Sequence, residues 1–303
     1  MIHLPALLLL LPLAQEEAVE LKWTADKEDK FDLKWTYDEV NSRIPGQGDK
    51  SELSDKRTVE AEMTPKDEPG KFAVTLKKVT WINTTNEFDI NLVWAAGAKP
   101  PVPTLKMKVD PKASNAAAAK ALGEQRAETM KKLVGEGEYV LSYDAVRRET
   151  YILRNGTAAR QQSIFDVLFL HSPLPNGTVT HGQTWKESLE TMTFPQLVEV
   201  KNMACKVAFS GPGVVVKGGF VQPVNRPANT KGEVITGTFT FNREFTFAKE
   251  GCLLNAKEDQ LFSKKVDAKG DNADFYRENS THNIKQSVAI KRKGPPKPQE
   301  PKK

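Results

Sequence analysis

The chain has 303 residues, 39% hydrophobic and 27% charged, which is the composition of an ordinary soluble protein with enough apolar side chains for a sizeable core. Its formal charge of +5 is local: six basic residues from Lys291 onward face Glu300 alone, so 38 of the 44 Lys and Arg cancel 38 of the 39 Asp and Glu elsewhere. A neutral body lacks the basic face needed to displace phosphate counterions, and nucleic acid is excluded as the expected partner.

Leu4 to Ala14 is an apolar run of signal-peptide length, too short to span a bilayer, followed abruptly by Gln15-Glu16-Glu17. We read residues 1–15 as a leader, although Met1-Ile2-His3 lacks Lys or Arg and Pro12 sits two positions before Ala14. The expected location is periplasmic or extracellular, with no transmembrane segment once the leader is removed.

From residue 16 the pattern is strand-like. Val19, Leu21 and Trp23 alternate with charged or polar residues, as do Phe31, Leu33, Trp35 and Tyr37 after the turn Asp26 to Asp29, predicting a hairpin with one dry face. Asn41 to Asp55, rich in Gly, Ser and Asp, reads as a loop. Strands resume at Val59 to Met63, Phe72 to Trp81 and Phe88 to Trp94, with charges expected on the opposite face throughout. Leu105 to Val109, behind Lys99-Pro100-Pro101-Val102-Pro103, reads as an edge strand.

Residues 115–134 form the clear helix, with Ser114 as its expected cap, Ala119, Leu122, Met130 and Leu133 near one stripe, and Gly135 as its stop. So little apolar area predicts a helix lying on the concave face or mouth of a sheet. Strands return at Tyr139 to Tyr143 and Thr150 to Leu153. Ile164 to Leu170 then reads as a short apolar helix near 160–170, with a buried strand as the competing reading, ended by Pro173 and Pro175.

Asn176-Gly177 and Gly182 mark turns before a strand from Thr184 to Phe194. Leu174, Pro175, Val179, Gly182 and Trp185 make the pattern L-P-x3-V-x2-G-x2-W, which resembles the middle signature of a family of uncharacterised, exported, β-rich bacterial proteins. The likeness extends weakly from about Leu21 to Lys291. It departs at Gln183, where such proteins often carry an acid, and in lacking a lipid-attachment cysteine. The resemblance implies a β-rich exported domain and lends no site residues.

Long strands joined by short turns fill the second half: Met203 to Ser210, Val214 to Phe220, Val234 to Ala248, Cys252 to Val266 and Ala273 to Arg292. The expected class is mainly β, a curved antiparallel meander built as a half-open barrel or as two lobes, 16–110 and 136–292, joined by the helix. Residues 293–303 have no apolar side chain beyond proline and read as a disordered basic tail.

No residue is nominated as catalytic, cofactor-binding or metal-ligating. His171, His181 and His282 stand at no metal-ligand spacing and read as surface or turn residues. Ser172, His181 and Asp166 could be assembled into a triad only by assertion, since no nucleophile elbow is present. Gly211-Pro212-Gly213 and Gly218-Gly219 read as hairpin turns, and carboxylates form no glycosidase pair. Cys205 and Cys252 could bridge across the sheet or pack as thiols. Asn83, Asn155, Asn176 and Asn279 open N-x-[ST] sequons, which in a eukaryotic secreted protein would mark surface turns. The function expected is non-enzymatic, with an unknown envelope component or hydrophobic ligand as partner. A lipid carrier and a hydrolase with an unrecognised site are the alternatives.

Overall fold

The computed structural model describes residues 17–44, 50–99, 102–112, 115–135, 138–144, 149–154, 157–158, 178–193, 196–211, 213–226, 233–268 and 279–294. The leader, the apolar segment near 160–170, His171, Ser172, Asp166, Asn155, Asn176 and the tail beyond Gly294 lie outside the described residues.

Strands β1 (Ala18–Glu20), β2 (Phe31–Ile44), β3 (Ser51–Pro65), β4 (Lys71–Thr85), β5 (Phe88–Ala95) and β6 (Thr104–Val109) precede helix α1 (Ala116–Val134). Strands β7 (Tyr139–Asp144), β8 (Glu149–Arg154), β9 (Thr157–Ala158), β10 (Thr178–Thr180) and β11 (Thr184–Thr193) follow. The chain then runs through β12 (Gln196–Ser210), β13 (Gly213–Arg226), β14 (Glu233–Ala248), β15 (Leu253–Ala268) and β16 (Asn279–Arg292).

Fourteen strands form one antiparallel sheet in the order β11-β12-β13-β14-β15-β16-β2-β3-β4-β7-β8-β9, with β5 and then β6 branching from β4. The branch arises because β4 gives Lys71 to Val74 to β7 and Lys78 to Thr84 to β5. Among the described residues β11 and β9 do not meet, so the barrel stays open. Strands of 16–110 and of 136–292 share this one sheet, continuous across β2 and β16, which pair from Phe31–Arg292 to Ile44–Asn279.

Period-two burial builds the core. Phe31, Leu33, Trp35 and Tyr37 of β2 and Phe239, Phe241, Phe245 and Phe247 of β14 all point to the inner face, and most are completely buried. A register shift after Glu60 leaves Lys77 as an extra residue, so the buried phase of β4 moves from Phe72, Val74 and Leu76 to Val79 and Trp81. The outer face carries cross-strand pairs such as Lys34–Glu60, Lys56–Asp38 and Lys217–Glu244. That polarity is the reverse of a membrane-spanning barrel, whose outward band is apolar.

The predicted hairpin between Val19–Trp23 and β2 does not form. Both edges of β2 are taken by β16 and β3, so β1 pairs with β10 instead and Lys22 bridges to Cys252. The alternation was real, since Val19, Leu21 and Trp23 are all buried. Trp23 packs against Tyr143 of β7 and Phe245 of β14, at 6.1 Å from each ring, although six steps of strand order separate those strands. The sheet is therefore curled, with this segment wedged into one end. Nor is Asn41 to Asp55 a loop: residues up to Ile44 and from Ser51 belong to β2 and β3. Lys293, expected in the tail, is tied to the body by Glu62, Asp32 and the Lys30 carbonyl.

Helix α1 packs on β5 and β6 through Ala119, Gly123, Met130 and Leu133, a stripe close to the expected one. Its N-cap residue is Asn115, whose amide donates to Glu87 instead of capping the helix, and Ser114 lies outside the described residues. Gly135 ends the helix in an extended conformation, not a left-handed one. Lys131 and Lys132 in the last turn complement the helix dipole.

Candidate functional site

Strand phase decides the site. Glu39 is in phase with Tyr37, Asp55 and Arg57 with Val59, Asn83 with Trp81, and His282 with Ile284, so all of them turn inward. The expectation that charges lie on the opposite face throughout fails here, at the end of the sheet that α1 crosses. Register places Tyr37 opposite Arg57 and Arg57 opposite Trp81; one step along, Glu39 lies opposite Asp55 and Asp55 opposite Asn83.

These groups are bonded in two sets. Glu39 accepts from Tyr37 Oη at 2.6 Å and from His282 Nε2 at 2.7 Å, one donor on each oxygen. Asp55 accepts Arg57 Nε at 3.0 Å and Nη2 at 2.8 Å, and also Trp81 Nε1 at 3.0 Å. The bidentate fork fixes the guanidinium plane, and Arg57 Cζ stands 5.0 Å from the Tyr37 ring and 4.6 Å from the Trp81 ring. From α1, Arg126 places its Cζ 4.7 Å from the same Trp81 ring.

Burial pushes the Tyr37 hydroxyl up, and its bond to Glu39 adds to this, so it remains a donor at physiological pH. Burial also acts to raise Glu39, yet its bonds to His282 and Tyr37 outweigh that and hold the carboxyl below its ordinary value. For Arg126, burial and the Arg57 charge together pull the guanidinium below its usual value, against the opposing Asp55 charge. Its Nη1 is buried without a hydrogen-bond partner, as is Asn83 Oδ1.

Apolar side chains border the charged groups. Phe88, Trp94, Leu105, Met107, Leu122 and Ala127 are only partly buried along β5, β6 and α1. Register sets Leu105 and Met107 opposite Leu92 and Ile90, which in turn lie opposite Trp81 and Asn83, so a half-buried apolar strip adjoins these fixed donors. The Tyr37 hydroxyl is held protonated, and Glu39 has both oxygens engaged.

A second polar set lies inward on the opposite half. Arg243 of β14 passes over Gly218 of β13 to reach Cys205 Sγ at 3.0 Å and Glu187 of β11 at 2.9 Å, with Trp185 Nε1 also on Glu187 at 3.3 Å. A Cβ at Gly218 would fall 2.8 Å from Arg243 Nε, so this glycine gives the arginine its path and is no turn residue. Behind it, the outer face carries a depression of about 460 Å³ lined by Lys206, Lys217, Asn242 and Glu244.

Of the histidines, His181 is exposed and accepts the Phe209 N–H at 3.0 Å, as a turn residue would. His282 is not a surface residue; its side chain is 15% exposed and bonded to Glu39. Cys205 and Cys252 are thiols, with no bridge between them. Asn83 is 1% exposed within β4, so its sequon marks no surface turn. In the L-P-x3-V-x2-G-x2-W stretch, Val179 is buried, Gly182 adopts φ 78°, and Gln183 Oε1 accepts the Thr180 N–H at 3.0 Å. Among the described residues no helix is long and apolar enough to cross a membrane, and no group of three or more His, Cys, Asp or Glu is placed to hold a metal.

No protein-family model matches the chain, and no curated protein matches it. Among solved structures it is similar to lipovitellin, in a structure of its lipid–protein interactions, at TM-score 0.39 and 10% identity over 91% of this chain and 26% of that one. It is also similar to OccK5 (OpdH) of Pseudomonas aeruginosa, at TM-score 0.21 and 7% identity over 89% of this chain and all of that one. The TodX monoaromatic hydrocarbon channel gives TM-score 0.21 and 8% identity over 89% and 91% of the two chains. This chain spans about a quarter of the lipovitellin chain it matches. Likeness at this level carries no information about ligand or location.

Proposed function

We propose that this is an exported, non-catalytic binding protein whose ligand is hydrophobic or amphiphilic and sits where α1 crosses β4, β5 and β6. The supporting observation is the meeting, at that one place, of a partly exposed apolar wall (Trp94, Leu105, Met107, Leu122) with an organised polar cluster. Among the described residues, Trp35, Val59, Phe239 and Phe241 on the rest of the inner face are completely buried. Export rests on the Leu4 to Ala14 leader and on the resemblance carried by Leu174 to Trp185.

Native mass spectrometry of the protein recovered from its own source tests the reading. A retained amphiphile, released by organic solvent and identified by its mass, is the expected result. Apo mass alone, together with no retention after incubation with decanoate and decanol, overturns it.

A further inference from the structure

We propose that Arg126 receives an acidic group, a carboxylate or phosphate, at the polar end of the ligand, with Trp81 and Arg57 forming the rest of the seat. This rests on the binding reading above and names the chemistry that the site selects.

The argument is one of unmet bonding. Every oxygen of the two carboxylates in the cluster already has a donor: Asp55 holds Arg57 and Trp81, and Glu39 holds Tyr37 and His282. Arg126 is thus left beside Asp55 without a bond to it. Its Nη1 is buried and unpartnered, a costly state for a charged donor. Two guanidinium carbons lie 4.6 and 4.7 Å from one indole ring, so like charges are gathered where only the Arg57 charge is neutralised by a direct pair. The cation–π contacts offset part of that repulsion and hold Arg126 in place before any ligand arrives. An oxyanion would satisfy Nη1 and neutralise the second guanidinium, and the planar fork of arginine suits two-oxygen acids. The depressed Arg126 basicity fits the same picture. Asn83 Oδ1, buried and unpartnered two residues beyond Trp81 on the same face, adds an acceptor for a hydroxyl or amine neighbouring the acid.

The experiment titrates the full chain by calorimetry and tryptophan fluorescence with decanoate, decyl phosphate, decanol and inorganic phosphate, in wild type, Arg126→Gln and Arg126→Lys. Decanoate or decyl phosphate is expected to bind at least tenfold tighter than decanol. Arg126→Gln should remove that difference by weakening the acids far more than decanol, with Arg126→Lys restoring part of it. The preferred acid, carboxylate or phosphate, identifies which of the two the seat takes. Equal affinity for all three chain ligands, unmoved by Arg126→Gln, overturns the acid-group inference and leaves the binding reading standing. Binding of inorganic phosphate that is lost in Arg126→Gln, without binding of any chain ligand, supports the oxyanion seat and overturns the hydrophobic-ligand reading. Failure of every probe overturns both. Should Arg126→Gln not fold, the decanol comparison in wild type and the Arg126→Lys affinities still decide.

Discussion

Arg243 of β14 and Glu187 of β11 form an ion pair at 2.9 Å across the two intervening strands β12 and β13, with the arginine side chain wholly buried and the glutamate nearly so. Two charges removed from water are tolerable only together. Glu187→Ala should therefore cost about 3–5 kcal/mol, while Arg243→Met with Glu187→Leu should lose far less. Chemical denaturation of Glu187→Ala, Arg243→Met and the double variant measures this. A double-variant loss equal to the sum of the two single losses would deny the pair any coupling.

Gly251 adopts φ +86°, and a Cβ there would stand 1.9 Å from the Glu20 carbonyl oxygen. Its own carbonyl accepts Lys22 N–H at 2.8 Å, while Leu253 N–H is held by Thr24 O at 2.9 Å. Gly251→Ala must push the segment carrying Trp23 away from the sheet, at a cost of at least about 1–3 kcal/mol. Faster tryptic cleavage at Lys22 and a red-shifted tryptophan emission are the expected signs. Unchanged cleavage and emission would mean that the segment is anchored elsewhere.

Glu39 should make part of the stability acid-sensitive. Because its carboxyl is held below the ordinary value in the fold, its contribution is fully present above the unfolded-state value and is lost as pH falls through the lower, folded one. Glu39→Gln should lower stability at neutral pH and flatten this part of the acid limb. Urea midpoints from pH 7 down to pH 3 test it, and parallel curves for wild type and variant would refute the assignment.

Both cysteines should titrate as thiols in denatured, unreduced protein. In the native state Cys252, partly exposed beside Thr24, should react with a maleimide well before Cys205, which is buried and accepts an N–H from Arg243. Peptide mapping of the first labelled site measures the order. Modification at Cys205 first would contradict its burial.

Burial phase was readable from single stretches: Phe31 to Tyr37, Val59 to Met63 and the Lys77 shift within β4 all follow from which residues are apolar. Strand partnership was not, because alternation identifies a face and says nothing about which distant strand lies alongside. Hence Val19 to Trp23 was assigned to its neighbour in sequence, while its partner β10 begins at Thr178. The polar cluster was missed for another reason. Asp55, Arg57, Glu39 and His282 each continue the buried parity of a strand already recognised, and extending that parity by two or four residues turns them inward. Arg126 carried no such signal, since only the docking of α1 brings it over Trp81.

At the middle of the sheet, Phe31 lies beside Arg292. Because β16 is the bridge between the halves, a ribosome must have released the chain through Arg292 before they can close on each other. Until then β2 and β15 each present a long unsatisfied edge to whatever is nearby, a hazard best met by a chaperone or by passage across a membrane before collapse.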